Sequence, residues 1–180
     1  MKKNRYREAI DIVYKASTFD MRRINTVLRI PSVILPQRLQ CIRRLHFSTA
    51  FFIRTGLDDS FDYVFDHSYP PDDLSKWPRA CKVLASMSQL HELKIQLVMW
   101  QPSVWLGEGL IDSEAFLSLL RPLKEVRAAS KFEVILDQPL TTTIEEELGP
   151  FAFEIIHCPY RSYRGADSRR GEDPFSTWNN

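Results

Sequence analysis

The sequence predicts an α/β domain: an irregular, leucine-rich-repeat-like single layer with a mostly parallel sheet and helices on one face. Three observations predict it. Helical and strand periods follow one another several times, the strands alternate apolar with polar residues, and two helix–strand units match about 48 residues apart. Strands separated by helix-containing crossovers are most simply parallel. A parallel sheet covered on both faces has nearly continuous apolar strands. Alternation therefore implies one covered face and one wet face, the logic of a solenoid. Units of about 48, 39 and 21 residues are too uneven for a regular leucine-rich repeat. A doubly wound sheet is the alternative.

The clearest unit is WPRACKVLASMSQLHELKIQLVMW, Trp77 to Trp100. Trp77, Cys81, Leu84 and Met87 recur at helical spacing, so they share a face. Asp73 or Ser75 can cap this helix, and Pro78 falls in its first turn, where a missing N–H costs little. From His91 the period becomes two. Leu93, Ile95, Leu97 and Met99 point one way, and Glu92, Lys94, Gln96 and Val98 the other.

The rest of the chain varies this unit. Residues 4–16 fit a helix with Tyr6, Ala9, Ile10, Val13 and Tyr14 as its apolar stripe. Thr18 to Met21 reads as an edge strand. Residues 22–30 return to helical spacing, and Pro31 is expected to end that helix. Pro36 starts a short helix carrying Leu39 and Ile42. Arg44 to Phe51 is a strand with Leu45, Phe47, Thr49 and Phe51 on one face and His46, Ser48 and Ala50 on the other. Leu39, Ile42, Leu45 and Phe47 match Met87, Leu90, Leu93 and Ile95 in spacing. Later, Asp112 or Ser113 caps a helix that Pro122 kinks or shortens. Lys131 to Leu136 is a strand, Thr143 and Glu146 form a capping box, Gly149 and Pro150 stop that helix, and Phe151 to Ile156 is the last strand. One domain over residues 1–160 and a disordered polar tail over 161–180 are expected.

Composition narrows the classes. The 180 residues are 44% apolar and 12% aromatic, enough for a sizeable core, and the formal charge of +1 offers no global attraction to nucleic acid or an anionic membrane. No apolar run is long enough to span a bilayer, and no signal peptide is visible. Cys41, Cys81 and Cys158, odd in number and far apart, read as reduced thiols, which implies an intracellular protein of the cytoplasm or nucleus.

No residue pattern carries chemistry. Asp58, Asp59, Asp62, Asp66 and His67 crowd the loop Gly56–Asp73, but their spacing fits no calcium loop and a solvated loop is the better reading. His46 has no assignable nucleophile beside it. Six glycines provide no phosphate cradle. No catalytic residue, metal or cofactor is therefore expected. Arg22, Arg23, Arg29, Arg38, Arg43 and Arg44 make the N-terminal half basic, though solvated helix faces or pairs with the acidic loop explain them better than nucleic acid. Trp100 and Trp105 border a loop, and tryptophan is a favoured interface anchor.

Three blocks carry a family resemblance: REAIDIVYKASTFD, ILPQRLQCIRRLHF and WPRACKVLASMSQLHELKI. Through Glu8, Ala9, Ile10, Tyr14 and Phe19, then Leu35, Pro36, Arg38, Leu39, Ile42, Arg43 and Leu45, then Trp77, Cys81, Leu84, Met87, Leu90 and Leu93, the chain resembles a domain family of unknown function. The family is abundant in filamentous fungi and is met in small F-box-like hypothetical proteins. The resemblance covers roughly residues 5–137 and marks packing positions; it implies no reaction or cofactor. Such members usually carry an apolar segment and a cysteine-arginine pair before the first helix, where this chain has Met1-Lys2-Lys3-Asn4-Arg5, so no F-box is expected and a ubiquitin-ligase adaptor role is the weaker reading.

The resulting expectation is a non-enzymatic protein-interaction module with an unknown protein partner. The expected surface is His46, Ser48, Lys94, Gln96, Lys131 and Glu133 on the polar strand face, with Trp100 and Trp105 beside it. The alternative is a nucleic-acid-associated protein using the arginine-rich half.

Overall fold

A computed structural model describes residues 9–10, 12–53, 71–100 and 113–158. Five strands form one sheet: β1 Thr18–Arg22, β2 Arg44–Phe52, β3 Glu92–Trp100, β4 Lys131–Leu136 and β5 Glu154–His157. All neighbours are parallel, and spatial order follows chain order. The order never reverses, so the sheet lacks the switch point of a doubly wound fold. Between β1 and β2 lie α1 Ile24–Val33 and α2 Pro36–Leu39; before β3, a 3-10 turn Leu74–Lys76 and α3 Trp77–Ala85; before β4, α4 Ser113–Leu120 and a 3-10 turn Arg121–Glu125; before β5, α5 Thr142–Leu148. Residues 12–16 are helical ahead of β1.

The 48-residue match is a register. Leu45 lies opposite Leu93 and Phe47 opposite Ile95. The corners entering these strands repeat too. The Arg43 carbonyl accepts from His91 N (2.8 Å) and Glu92 N (3.0 Å), and the His91 carbonyl accepts from Ser130 N (2.9 Å) and Lys131 N (3.0 Å). One rung thus recurs at successive corners and fixes the lateral step of the chain. Gln40 adds side-chain bonds to the next corner, donating to the Ser86 carbonyl (2.9 Å) and accepting from Ser88 Oγ (2.8 Å).

The first face of the sheet and the buried sides of the helices form one core. Trp77 sits at its middle. Its ring stacks on Phe47 (5.9 Å between centroids) and meets Phe51 edge-on (5.6 Å), while its indole N–H donates to the Leu119 carbonyl (2.7 Å). Aromatic pairs of this kind gain beyond the area they bury, and a buried indole N–H needs an acceptor. Cys81 is buried beside it, and burial pushes its thiol pKa up, as befits a packing residue.

Local chemistry sets the ends. Asp73 caps the 3-10 turn ahead of α3, accepting from Ser75 N (3.0 Å) and Oγ (2.7 Å), and Pro78 lies in the first turn of α3. Gly149, at φ 64°, closes α5. Pro122 converts the end of α4 to a 3-10 turn.

Four expectations need correction. Pro31 does not end α1, which runs to Val33. It sits in the last turn, where only one bond is forfeited, and Ile34 N still donates to the Ile30 carbonyl (2.9 Å). The Thr143–Glu146 capping box is out of phase, because α5 starts at Thr142 with Thr141 at the N-cap. Three consecutive threonines gave the pattern no way to choose. The last strand begins at Glu154, not Phe151, since Phe151 and Phe153 stack together against the core instead (4.6 Å). Finally, Val13 of the N-terminal stripe is exposed, and of that stripe's described residues it is Tyr14 that packs, on Phe19 (5.3 Å). The expected tail, residues 161–180, lies outside the described residues.

The turn from β1 into α1 holds one backbone outlier. Arg23 has φ 80° and ψ 142°, a region that side chains strain to occupy. The turn is over-determined: Arg23 N donates to the Ser48 carbonyl (2.9 Å), and Asp72 accepts from Ile24 N (3.0 Å) and Thr49 Oγ1 (2.8 Å). Two outcomes follow, both read by urea denaturation. Trp77→Ala should lose about 3–5 kcal/mol of stability, and Trp77→Phe about 1–3 kcal/mol through the orphaned Leu119 carbonyl. Arg23→Gly should gain about 1 kcal/mol by releasing strain; a loss there would show that the side chain contributes more than the backbone costs.

Candidate functional site

The second face of the sheet is organised in rows that the register defines. Thr18, Arg44, Glu92 and Lys131 form the first, Asp20, His46, Lys94, Glu133 and Glu154 the second, and Arg22, Ser48, Gln96, Ile135 and Ile156 the third. Across the first two rows, opposite charges alternate from strand to strand at Arg44, Glu92 and Lys131, and again at Lys94 and Glu133. Cross-strand neighbours of opposite sign attract and like signs repel, so this strip is largely self-compensated.

Its contacts show the compensation. Lys131 Nζ reaches Glu133 Oε1 (2.7 Å), and that bond holds the lysine pKa above its ordinary value. Arg22 pairs with Asp20 (3.5 Å), Arg43 donates to Gln89 Oε1 (2.8 Å), and Arg44 donates to the Ala16 carbonyl. His46 is exposed, yet partial desolvation lowers its pKa, and Lys94 lowers it further, while Asp20, Glu133 and Glu92 pull the other way. On balance the neutral imidazole is favoured more than in an ordinary histidine.

Toward the carboxyl ends of the strands the face changes character. Ser48 and Gln96 were expected on a wet face; both are only 8% exposed. Val98 and Ile135 are buried as well, although neither belongs to the helix-side core. The wet face is thus confined to its amino-terminal half. The apolar side chains of Val98 and Ile135 in otherwise polar positions were the signal for this. Lys94 and Glu133 are half-buried, and Lys131 is exposed. Trp100 ends β3 opposite Phe52, but its side chain lies outside the described residues, as do Trp105 and the acidic loop residues Asp58, Asp59, Asp62, Asp66 and His67.

Asp137, which the sequence reading missed, follows β4 and is buried. Both carboxylate oxygens accept from Met99 N (3.2 Å each), one rung beyond the last β3–β4 pair, Leu97 and Leu136. Burial raises its pKa to about 7, against the pull of the Met99 hydrogen bond. An aspartate directly after Val134-Ile135-Leu136 was its only trace in the sequence. Among the described residues no group of three or more His, Cys, Asp or Glu is placed to hold a metal ion, and no helix is long and apolar enough to cross a membrane.

A sequential, all-parallel five-stranded sheet with a charged strip on one face defines an α/β domain. The chain belongs to the family called domain of unknown function DUF7730, whose model matches residues 2–154 and so ends on the first residue of β5. No curated protein and no solved structure matches it.

The raised pKa of Asp137 has a sign. Its folded value, about 7, exceeds the ordinary 3.8, so between these values the folded state holds a proton that the unfolded state has lost. Its contribution is present in full below about pH 4 and is lost as pH rises through about 7. Asp137→Asn, which keeps an acceptor for Met99 N, should remove this slope of up to about 1.4 kcal/mol per pH unit. Urea denaturation from acid to mildly alkaline pH should show the variant gaining on the parent as pH rises; parallel curves would contradict the assignment.

Proposed function

We propose that the chain is a non-enzymatic protein-interaction module, a leucine-rich-repeat-like stack that binds a protein partner through the amino-terminal half of its polar strand face. The observation that carries this reading is the mixed-charge strip of Arg44, Glu92 and Lys131 beside Asp20, His46, Lys94, Glu133 and Glu154, in which opposite charges face each other except at Glu133 and Glu154. Alternating fixed charges give a partner register and specificity more than raw affinity. Ser48 and Gln96 lie buried in the next row of that face, and Trp100, at the carboxyl end of β3, and Trp105 are further proposed contacts.

The nucleic-acid alternative needs free cations in a single-sign field. Arg22, Arg43 and Arg44 instead make contacts within the chain, which favours the protein partner. A substrate adaptor of a ubiquitin ligase lacking its F-box, in a filamentous fungus, is the special case that the family resemblance suggests.

The test is capture from a filamentous-fungal lysate with nuclease, comparing the parent with the double swap Lys94→Glu/Glu133→Lys. The swap keeps the net charge and inverts the pattern a partner reads, but it gives up the Lys131–Glu133 bond, so urea denaturation must first show the variant folded. We expect a discrete set of proteins that survives nuclease and is lost with the swap. Retention of the same set by the swapped chain, or recovery that collapses with nuclease, would contradict the reading.

A further inference from the structure

We propose that His46, Ser48, Lys94 and Gln96 together form a subsite for a single carboxylate presented by the partner, an inference that rests on the face being the binding surface. The four lie in a two-by-two block on adjacent strands: His46 is in register with Lys94 and Ser48 with Gln96, all on the second face. Each brings a hydrogen-bond donor. The Lys94 ammonium forms no ion pair among the described residues, because Glu133, its neighbour in register, is taken by Lys131.

A second observation points to a missing acceptor. Gln96 is more than nine-tenths buried, and its Nε2 is the one buried side-chain nitrogen or oxygen among the described residues with no hydrogen-bond partner. A buried donor left unpaired is destabilising, and natural structures rarely keep one without a reason. An oxygen acceptor entering past the more exposed His46 and Lys94 would meet the ammonium first, and the buried Gln96 amide lies in the next row, beside Ser48.

The surrounding charges choose the ligand. Asp20 on β1 and Glu133 on β4 flank the His46–Lys94 row, Arg22 on β1 flanks Ser48, and Glu92 and Arg44 complete the ring one row away. That ring repels a dianionic phosphate or a polyanion more than a lone carboxylate. Binding also couples to a proton. The empty block favours the neutral His46 imidazole, whereas a carboxylate beside it favours the imidazolium, so affinity should rise as pH falls through the histidine range.

The experiment is nuclear magnetic resonance titration of the full chain with N-acetyl-glutamate amide, against its neutral isostere N-acetyl-glutamine amide, inorganic phosphate and heparin. We expect saturable shifts of the Gln96 side-chain amide and the His46 ring with the glutamate probe only, and an upward shift of the His46 titration at saturation. Lys94→Gln should weaken the probe about tenfold or more. Gln96→Met should weaken it while raising the urea midpoint, opposite signs that damage to the fold does not produce. An equal response to the glutamine isostere, tighter phosphate or heparin binding, or no saturable shift would overturn the subsite. If the probe fails while capture of proteins still depends on the Lys94/Glu133 pattern, the subsite falls and the interaction surface stands.

Discussion

The rest of the structure depends on how Trp77 is held. One residue at the start of α3 touches β2 through Phe47 and Phe51 and the end of α4 through the Leu119 carbonyl. It therefore joins three successive units of a chain whose neighbouring units also meet at strand ladders, corner hydrogen bonds and packed helices. In a stack where each unit contacts only the next, an anchor spanning several units converts pairwise contacts into one cooperative core.

That core also decides where function can lie. It draws the helices and the first strand face together and leaves the second face to be finished otherwise. The second face is then split along the strands. Its amino-terminal half is a charged lattice, and its carboxyl-terminal half buries Ser48, Gln96, Val98 and Ile135. The boundary between halves is where donors without acceptors gather, at Lys94 and Gln96. That boundary, neither a dry core nor a freely solvated face, is where the proposed partner's polar group would meet the unpaired donors.

Much of this was legible in the sequence, and the reasons differ by element. β4 was readable to the residue because Phe132, Val134 and Leu136 alternate with Lys131 and Glu133, with Ile135 the one apolar exception. The parallel pairing of β2 and β3 was readable because the 48-residue match and the register are the same fact. Pro31 misled because the rule against proline inside helices weakens in a last turn. The split of the second face stayed hidden because alternation reports direction, whereas burial depends on position along the strand. Asp72 and Asp137 stayed hidden because each acts through a backbone N–H from elsewhere in the chain, at Ile24 and Met99. No spacing rule sees such a bond.

The central claim is that the amino-terminal half of the second face is the working surface. Its most direct test places a photo-crosslinking amino acid at Lys94 on that face and, separately, at the exposed Lys82 on the helix side. A discrete protein adduct is expected from position 94 and none from position 82. Adducts from position 82 alone, or equally from both, would move the surface to the helices and contradict it.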